Sequence, residues 1–516
     1  MWNMETLRGD GTMVLIASYD RIISKLEKLL KRSDYEFMDY VYKMIKDLPV
    51  FNEVKPSLQN KKNNEKSLEF LKDNLKALEM YTRSIATAEL DSEYLSIAYA
   101  NRSAVLFENK YYKECLEDIE RALKGKYPSN LVPKLLNRKQ KAENLLSSQK
   151  IYSYHDTIPK IENKNPLIQS ASDSIEIQTS EKWGWHIIAA KDIKAGEVII
   201  VEKPYAQTVD NESKYIHCHE CLELCYNMIP CKNCTEVLYC SETCRDEAYM
   251  TYHRIECTFF QLGLNEARLF LRVFLKGVTE YKKLKEGNCK KGIYRSDRYK
   301  EVYELLTHRC DKSAYDLYQD CLEPIVFHYY LKNNTDILEE TDIEHKDHVL
   351  KELLLHHCLN VHCNATCIEK PKLKSLGNTD YEKVGKVIYA FHSLLNHSCN
   401  ANSFPVSYGS HIVIRAQRNI KKGEQVTVNY GFSFNNCHKF ERQFKLQKHY
   451  HFTCTCDACT NDWPTSEHLR QGKQIPQTFV EKVLKMYGQE TVDKKVVNKL
   501  LNEAFNIVSS MKAKTP

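Results

Sequence analysis

The 516-residue sequence lacks long apolar runs and a strong excess of either charge. No run of about 18 apolar residues occurs, which is what a membrane-spanning helix needs. The opening residues, MWNME, are not a basic segment followed by an apolar one, so we expect no secretory signal. The net charge of +6 is a mild bias for this length. The sequence therefore predicts neither membrane binding nor direct binding of nucleic acid.

The composition is that of an ordinary folded, soluble protein, with 42% hydrophobic and 28% charged residues. The chain is too long for one core, and roughly two to four domains are expected. Twenty cysteines are present. Because disulfides are rare in reducing compartments, cysteines without a secretory signal indicate metal thiolates. We expect the protein in the cytoplasm and nucleus.

Cysteines are concentrated between residues 218 and 257, where four pairs of metal-ligand residues follow one another. The pairs are Cys218 and Cys221, Cys231 and Cys234, Cys240 and Cys244, and His253 and Cys257. Zinc prefers four tetrahedral sulfur or nitrogen ligands, so four pairs predict two closed sites. Closed sites leave no position for water, so they would keep this segment, which we call the finger, folded rather than catalyse. The alternative is seven unligated thiols and one histidine.

A second cysteine group has the spacing CxCxxC at Cys454, Cys456 and Cys459. Three thiols are one ligand short of a tetrahedral zinc site, and Cys399 is the natural fourth. This predicts a third zinc site, which would fasten the later loop to the segment around Cys399. The alternative is three free thiols on a loop.

The first 150 residues have a helical pattern. Apolar residues recur at helical spacing between Ala98 and Leu123, and resemble a tetratricopeptide repeat. An earlier copy is centred on Ala77 and Tyr81, and a third helix is predicted from Val132 to Leu146. Such repeats bury their faces against neighbours, so we expect a small array at about 65–146. An unrelated helical hairpin is the alternative.

Strand and helix patterns divide the rest of the chain. Sequence patterns typical of β-strands occur before the finger and again late in the chain. Between the finger and the later strand pattern lies a stretch with a helical pattern that is rich in Lys, Glu and Tyr. A β-rich unit is therefore interrupted by the finger and by a helical insert. The predicted segments are an N-terminal helical region at 1–150, β-rich parts at 170–210 and 351–432, the finger at 216–258, the insert at 259–350, a zinc loop at 433–462 and C-terminal helices at 470–516.

The combined motifs resemble one family. Asn396-His397-Ser398-Cys399, then Asn429-Tyr430-Gly431, then the CxCxxC loop look like a SET domain with its post-SET loop. The ligand order in the finger resembles a MYND finger. The chain is thus similar to the SET and MYND domain-containing family of protein lysine methyltransferases, in its form that bears tetratricopeptide repeats. The resemblance implies an α+β fold, with a β-rich SET domain that contains a pseudoknot and is split by the finger and the insert.

The resemblance also implies how the finger ligands are shared. One zinc would be held by Cys218, Cys221, Cys240 and Cys244, and the other by Cys231, Cys234, His253 and Cys257. With the site at Cys399, Cys454, Cys456 and Cys459, the expected total is three zinc ions.

The implied reaction moves a methyl group from S-adenosyl-L-methionine to a lysine amine of a protein substrate. The sulfonium is already a good leaving group, so the protein mainly aligns the reactants and keeps the amine neutral. Since a free lysine has a pKa of about 10.4, the acceptor needs an environment that penalises its charged form.

Site residues follow from the resemblance. Tyr430 would orient the amine, and Tyr450 and Phe452 would form the wall of the lysine channel. The cofactor would be bound by Gly184, Asn364, Asn396, His397, Tyr430 and Phe452. For Tyr430 the alternative is a buried strand tyrosine, and for His397 it is a histidine whose hydrogen bonds are structural.

A silent SET domain that serves as a scaffold is the competing function. Lys182-Trp183-Gly184-Trp185 has one glycine where many SET domains have Gly-x-Gly, and Ala401 stands where proline is usual. In the family, MYND fingers dock proline-containing peptides, and tetratricopeptide grooves hold peptide ends or chaperone tails. We expect a monomer with such partners.

Overall fold

The computed structural model describes residues 34–46, 74–148, 158–258, 267–285, 293–341, 343–375 and 378–465, with short pieces between 478 and 503. The predicted C-terminal helices at 470–516 and the start of the repeat region at 65–73 lie largely outside these residues. The described residues form two compact units. The first runs to Lys370 and includes 383–395 and 403–426, and the second comprises 371–382, 396–402 and the chain from 427. No described helix is long and apolar enough to cross a membrane.

The predicted α+β class is confirmed, since helices and strands alternate in blocks along the described chain. The helices ahead of the first strand are α1 (Asp34–Ile45), α2 (Asn74–Thr87), α3 (Glu93–Glu108), α4 (Tyr112–Lys124) and α5 (Val132–Ser148). The strands are β1 (Ile175–Ser180), β2 (Gly184–Ala189), β3 (Val198–Glu202), β4 (Ala206–Val209), β5 (Ile229–Pro230), β6 (Leu238–Tyr239), β7 (Ala365–Ser375), β8 (Asn378–Ile388), β9 (Asn396–His397), β10 (Ser403–Tyr408), β11 (His411–Ala416) and β12 (Thr427–Val428). The later helices are α6 (Glu242–Ala248), α7 (Arg254–Glu256), α8 (Arg268–Gly277), α9 (Tyr281–Lys285), α10 (Tyr299–Tyr303), α11 (Ala314–Asn334), α12 (Ile337–Glu340), α13 (Lys346–Asn364), α14 (Lys439–Tyr450) and α15 (Asp457–Thr460).

Helices α2 to α5 pack in chain order, each against the next. Helix α3 begins after Ser92, whose hydroxyl accepts a hydrogen bond from the Leu95 N–H at 3.1 Å, the usual role of serine at a helix start. The apolar positions Ala100, Cys115 and Ile119 are buried in the core of this stack. The stack has the helical form that the sequence predicts, and its assignment as a tetratricopeptide array stays a prediction.

A buried ion pair joins α3 to α4. The Arg102 guanidinium donates to both carboxylate oxygens of Asp118, at 2.6 and 2.9 Å, and both side chains are fully buried. Arg102 also donates to the Met228 carbonyl at 2.9 Å, and Arg121 of α4 donates to the Asn227 carbonyl at 2.8 Å. The N-terminal helices are therefore hydrogen-bonded to the finger segment that contains β5.

Strands of the first unit form small antiparallel sheets. β1 and β2 are a hairpin with Ser180 opposite Gly184, β11 lies between β10 and β3, and β4 pairs with β8. β5 and β6 pair within the finger. In the second unit, β9 and β12 pair in parallel, with Asn396 opposite Thr427. Parallel pairing of segments about 30 residues apart brings the two predicted site motifs side by side.

The helical insert has its core where α8 and α11 pack against α13. Helix α13 continues to Asn364, beyond the predicted insert boundary at 350, because Leu353, Leu354 and Cys358 are buried on it. Helix α1 also packs here, through Phe37 and Met38, rather than on the N-terminal stack with which the sequence grouped it. An amphipathic pattern shows that a helix has an apolar face but does not identify the helix it packs against.

We predict that Asp118→Ala lowers the free energy of unfolding by about 3–5 kcal/mol, because it leaves the Arg102 guanidinium buried and uncompensated. Urea denaturation followed by circular dichroism measures this. Glu143→Ala is the control, since Glu143 meets Lys139 at the surface at 4.0 Å and should cost about 0–1 kcal/mol. Equal losses in the two variants would contradict the importance of the buried pair.

Candidate active site and metal centres

The eight predicted ligands of the finger gather into two groups of four. Within each group the ligand atoms lie within 4.8 Å of one another. The groups are the sets that the resemblance implied, namely Cys218, Cys221, Cys240 and Cys244, and Cys231, Cys234, His253 and Cys257.

Distances within both groups fit a tetrahedral zinc ion. Ligands about 2.3 Å from a zinc lie about 3.8 Å apart at the corners of a tetrahedron. The Sγ atom of Cys240 lies 3.6 Å from the Sγ atom of Cys221 and 3.6 Å from that of Cys244. In the other group, Cys231 Sγ lies 3.8 Å from Cys257 Sγ and 3.2 Å from His253 Nε2. Both donor sets therefore suit closed zinc sites that stabilise the finger.

Local backbone features place these ligands. Ser241 precedes α6, and its hydroxyl accepts from the Cys244 N–H at 3.2 Å, so the cap fixes the turn between Cys240 and Cys244. After α6 the chain winds one π-helical turn, Tyr249–His253. Such a turn re-aims a helical side chain, and here it ends at the ligand His253.

Two residues that the sequence analysis did not single out support His253 on its Nδ1 side, opposite the nitrogen that faces the cysteine sulfurs. Its Nδ1 atom faces the Glu256 carboxylate at 3.8 Å, and Glu256 receives two hydrogen bonds from Arg272 of α8, at 2.7 and 2.9 Å. Burial raises the pKa of Glu256, but Arg272 and His253 more than offset it and hold the pKa at about 2. An ionised carboxylate behind the imidazole makes the histidine a better zinc ligand.

The third predicted group is also assembled, in the second unit, from Cys399, Cys454, Cys456 and Cys459. Cys399 Sγ lies 3.5 Å from Cys459 Sγ and 4.0 Å from Cys454 Sγ. These distances fit a tetrahedral zinc, as in the finger. The buried Arg442 guanidinium is 3.6 Å from Cys459 Sγ, so a positive charge lies beside thiolates that together exceed the charge of one zinc ion.

His397 links this group to Tyr430. Its Nδ1 atom accepts a hydrogen bond from the Tyr430 backbone N–H at 3.0 Å, which leaves the proton on Nε2. Nε2 lies 3.3 Å from Cys399 Sγ and donates to it. Burial, together with Arg442, lowers the pKa of His397 to about 4 against an opposing effect of Cys456. Both ring nitrogens are therefore engaged, which matches the structural alternative for the His397 side chain.

Four aromatic rings form a cluster around this link, which we call the aromatic cluster: His397, Tyr430, Tyr450 and Phe452. The Tyr430 ring lies 4.8 Å from the Tyr450 ring and 5.2 Å from the His397 ring, between centroids. The rings of His397 and Phe452 are 6.1 Å apart. Burial, and to a lesser degree Tyr450, raises the pKa of Tyr430, so its hydroxyl stays protonated at neutral pH. The structure thus brings together four of the predicted site residues.

The backbone after Tyr430 is shaped by Gly431, whose φ of +100° favours glycine. Asn429 holds this turn, because its side-chain oxygen accepts from the Gly431 N–H at 2.8 Å and its amide donates to the Ser398 carbonyl at 3.1 Å. The Asn-Tyr-Gly motif therefore fixes the Tyr430 backbone on both sides.

The remaining predicted cofactor residues are placed as follows. Gly184 opens β2 in the first unit with a φ of +60°, and a Cβ there would meet no described atom within 4 Å. Asn364 ends α13, also in the first unit, and its amide donates to the carbonyls of Leu306 and Asn360 at 2.8 and 2.7 Å. Asn396 lies on β9 in the second unit, next to His397.

Comparison with known proteins agrees with this arrangement. A model of the SET domain matches residues 184–431, which span the finger and the insert. The chain is 25% identical to the protein-lysine N-methyltransferase SMYD4 of Danio rerio, over 81% of this chain and 68% of that protein. The human SMYD4 is 24% identical, over 79% of this chain and 67% of the relative.

The chain is similar to the SET and MYND domain-containing proteins. The similarity to the SMYD4 proteins extends over most of the chain rather than over the SET segment alone. A solved SET domain, that of LSMT bound to lysine and AdoHcy, is 15% identical with a TM-score of 0.28, and covers 56% of this chain and 54% of that one.

We predict that Glu256→Gln speeds the loss of zinc from the finger, with a metal affinity about 10–100-fold lower, because His253 loses its charged support. Release of zinc to a chromophoric chelator measures this. Glu247→Gln is the matched control, since Glu247 is exposed on α6. Zinc release at the same rate in both variants would show that Glu256 does not support the ligand.

Proposed function

We propose that the protein transfers a methyl group from S-adenosyl-L-methionine to a lysine side chain of a protein substrate, histone or non-histone. The observation that carries this proposal is the aromatic cluster, in which Tyr430 is held at its backbone by His397 beside a zinc-binding group. The match to a SET domain and the similarity to protein-lysine N-methyltransferases support it.

The aromatic cluster suits a lysine acceptor. Aromatic faces attract a cation such as an ammonium group, and a desolvated wall penalises charge and favours the neutral amine that reacts. The protonated Tyr430 hydroxyl is a poor base but a good hydrogen-bond partner, so its role is to aim the nitrogen lone pair. Tyr450 and Phe452 would exclude water from the channel. The proton lost by the amine passes to solvent.

S-Adenosyl-L-methionine, when bound, supplies an electrophilic methyl group on a sulfonium. We assign its binding to Gly184, Asn364, Asn396, His397, Tyr430 and Phe452. The open space at Gly184 allows a ligand to approach the backbone closely. His397 contributes through its backbone, because both of its ring nitrogens are engaged. A neutral imidazole also avoids placing a second positive charge beside the sulfonium.

We also propose where the protein is located and which partners it binds. The described cysteines have no disulfide bonds, and most lie in thiolate groups that fit zinc, which supports a reducing location in the cytoplasm and nucleus. We also assign proline-containing peptides to the finger and chaperone or peptide tails to the N-terminal helices, with the protein acting as a monomer.

A silent scaffold is the alternative, and two features favour it. The Asn364 amide already donates to two backbone carbonyls of its own unit, and exposed Trp183 and Trp185 flank Gly184. Isothermal titration of zinc-loaded protein with S-adenosyl-L-methionine distinguishes the two functions. The enzyme binds the cofactor with one-to-one stoichiometry, and a scaffold gives no binding heat.

We predict that Tyr430→Phe abolishes methyl transfer, by at least about 100-fold, while the affinity for S-adenosyl-L-methionine changes less than about twofold. The ring remains to fill the cluster, and only the hydroxyl that aims the amine is lost. Transfer of a labelled methyl group to proteins of a cell extract, with lysine products identified by mass spectrometry, measures the rate.

Tyr408→Phe is the matched control, since Tyr408 is a half-buried strand tyrosine on β10, outside the aromatic cluster. It should retain the wild-type rate. Undiminished transfer by Tyr430→Phe would remove Tyr430 from the mechanism, even if cofactor binding were established.

A further inference from the structure

A fourth group of metal-ligand side chains lies in the helical insert, away from the three zinc groups. It comprises Glu323 on α11 with Cys358 and His362 on α13, and its ligand atoms lie within 4.8 Å of one another. The sequence analysis did not single it out, although Cys358 and His362 are four residues apart in a helical stretch. That spacing places both side chains on one face of the helix, one turn apart.

The geometry within the group suits a small divalent cation. Cys358 Sγ lies 4.0 Å from His362 Nε2, close to the separation of about 3.6 Å for sulfur and nitrogen ligands of one tetrahedral zinc. Because α11 and α13 pack against each other, the Glu323 carboxylate is brought in from the neighbouring helix. Sulfur, nitrogen and oxygen donors together are the ligand set of zinc-class ions.

His362 is oriented by an ion-paired carboxylate, that of Asp320. His362 Nδ1 lies 3.3 Å from Asp320 Oδ1, and the other oxygen of Asp320 lies 2.8 Å from Lys312 Nζ. A carboxylate on Nδ1 fixes the tautomer that presents the lone pair of Nε2 towards Cys358. Histidine ligands of protein metal sites usually have such a partner on the opposite nitrogen. An ordinary polar contact between two helices would not require a carboxylate at Nδ1 that directs the Nε2 lone pair towards Cys358.

The group is also reachable from solvent. Cys358 is fully buried, whereas the His362 side chain is 47% exposed, so an ion can enter from the histidine side. The Cys358 thiol donates to the Asp320 carbonyl at 3.3 Å. Binding would replace this hydrogen bond with a thiolate–metal bond and release one proton to solvent.

We propose that Glu323, Cys358 and His362 form a fourth metal site, which binds a zinc-class divalent cation with three protein ligands and water in the open position. Three protein ligands hold an ion less tightly than the four of a closed site, so this ion exchanges while the three zinc groups stay filled. The site lies within one helical turn of Asn364, but its occupancy does not depend on the proposed methyl transfer.

The test uses the full chain and counts metal. After dialysis against a weak chelator the protein should retain three zinc ions, and after re-equilibration with micromolar zinc and removal of unbound metal it should hold four. His362→Gln should hold three under both conditions. His348→Gln, a partly exposed histidine on the same helix, is the matched control and should behave as the wild type.

Cobalt gives an independent readout. One equivalent of Co²⁺ added to the three-zinc protein should produce a thiolate-to-cobalt charge-transfer band, which is lost in Cys358→Ala and His362→Gln. Asp320→Asn should weaken cobalt binding about tenfold, because it removes the charge behind the imidazole. A fourth ion retained by both His362→Gln and Cys358→Ala, or the absence of a cobalt band in the wild type, would overturn the site.

Discussion

The rest of the structure depends on one constraint, the gathering of thiols that are far apart in sequence around shared ions. Cys399 and Cys454 are separated by 55 residues, yet their sulfurs lie 4.0 Å apart. Thiolates this close repel one another unless a cation neutralises them, so a zinc ion is needed to hold the arrangement. His397 extends the constraint, because it contacts Cys399 with one ring nitrogen and the Tyr430 backbone with the other. A zinc ion bound at this group would therefore also hold in place Tyr430, for which we propose the catalytic role.

In the first unit, the finger also gathers ligands from separate positions in the sequence into shared metal-binding groups. Zinc ions bound at its two ligand groups would replace an apolar core that so short a segment cannot build. The finger is hydrogen-bonded to two neighbouring parts of the fold. Arg272 of α8 donates to Glu256 of the finger, and Arg102 of the N-terminal helices donates to the Met228 carbonyl. Both arginines are buried and compensated, so each connection is costly to break. The finger thereby holds the N-terminal stack and the insert to one common element.

The sequence predicts the metal centres well because ligand spacing is a local signal. Cys-x2-Cys and CxCxxC remain recognisable whatever surrounds them, and the same holds for the Asn-Tyr-Gly turn, whose Gly431 needs a positive φ. Contacts between distant side chains leave no such signal. Arg272 and Glu256 lie 16 residues apart on separate helices, and nothing in their spacing predicts a pair. The extension of α13 to Asn364 and the packing of α1 in the insert were missed for a related reason, since apolar periodicity does not specify a partner.

The most direct test of the account is to remove the third ion alone. Cys456 is a half-buried ligand, so Cys456→Ser should empty that site and leave the finger filled. Metal content and transfer of labelled methyl groups to lysine are then measured on the same samples. We expect that one tightly held zinc is lost and that methyl transfer falls by at least about 100-fold, because Tyr430 loses its support through His397. Wild-type transfer by a protein that has lost this ion would contradict the account.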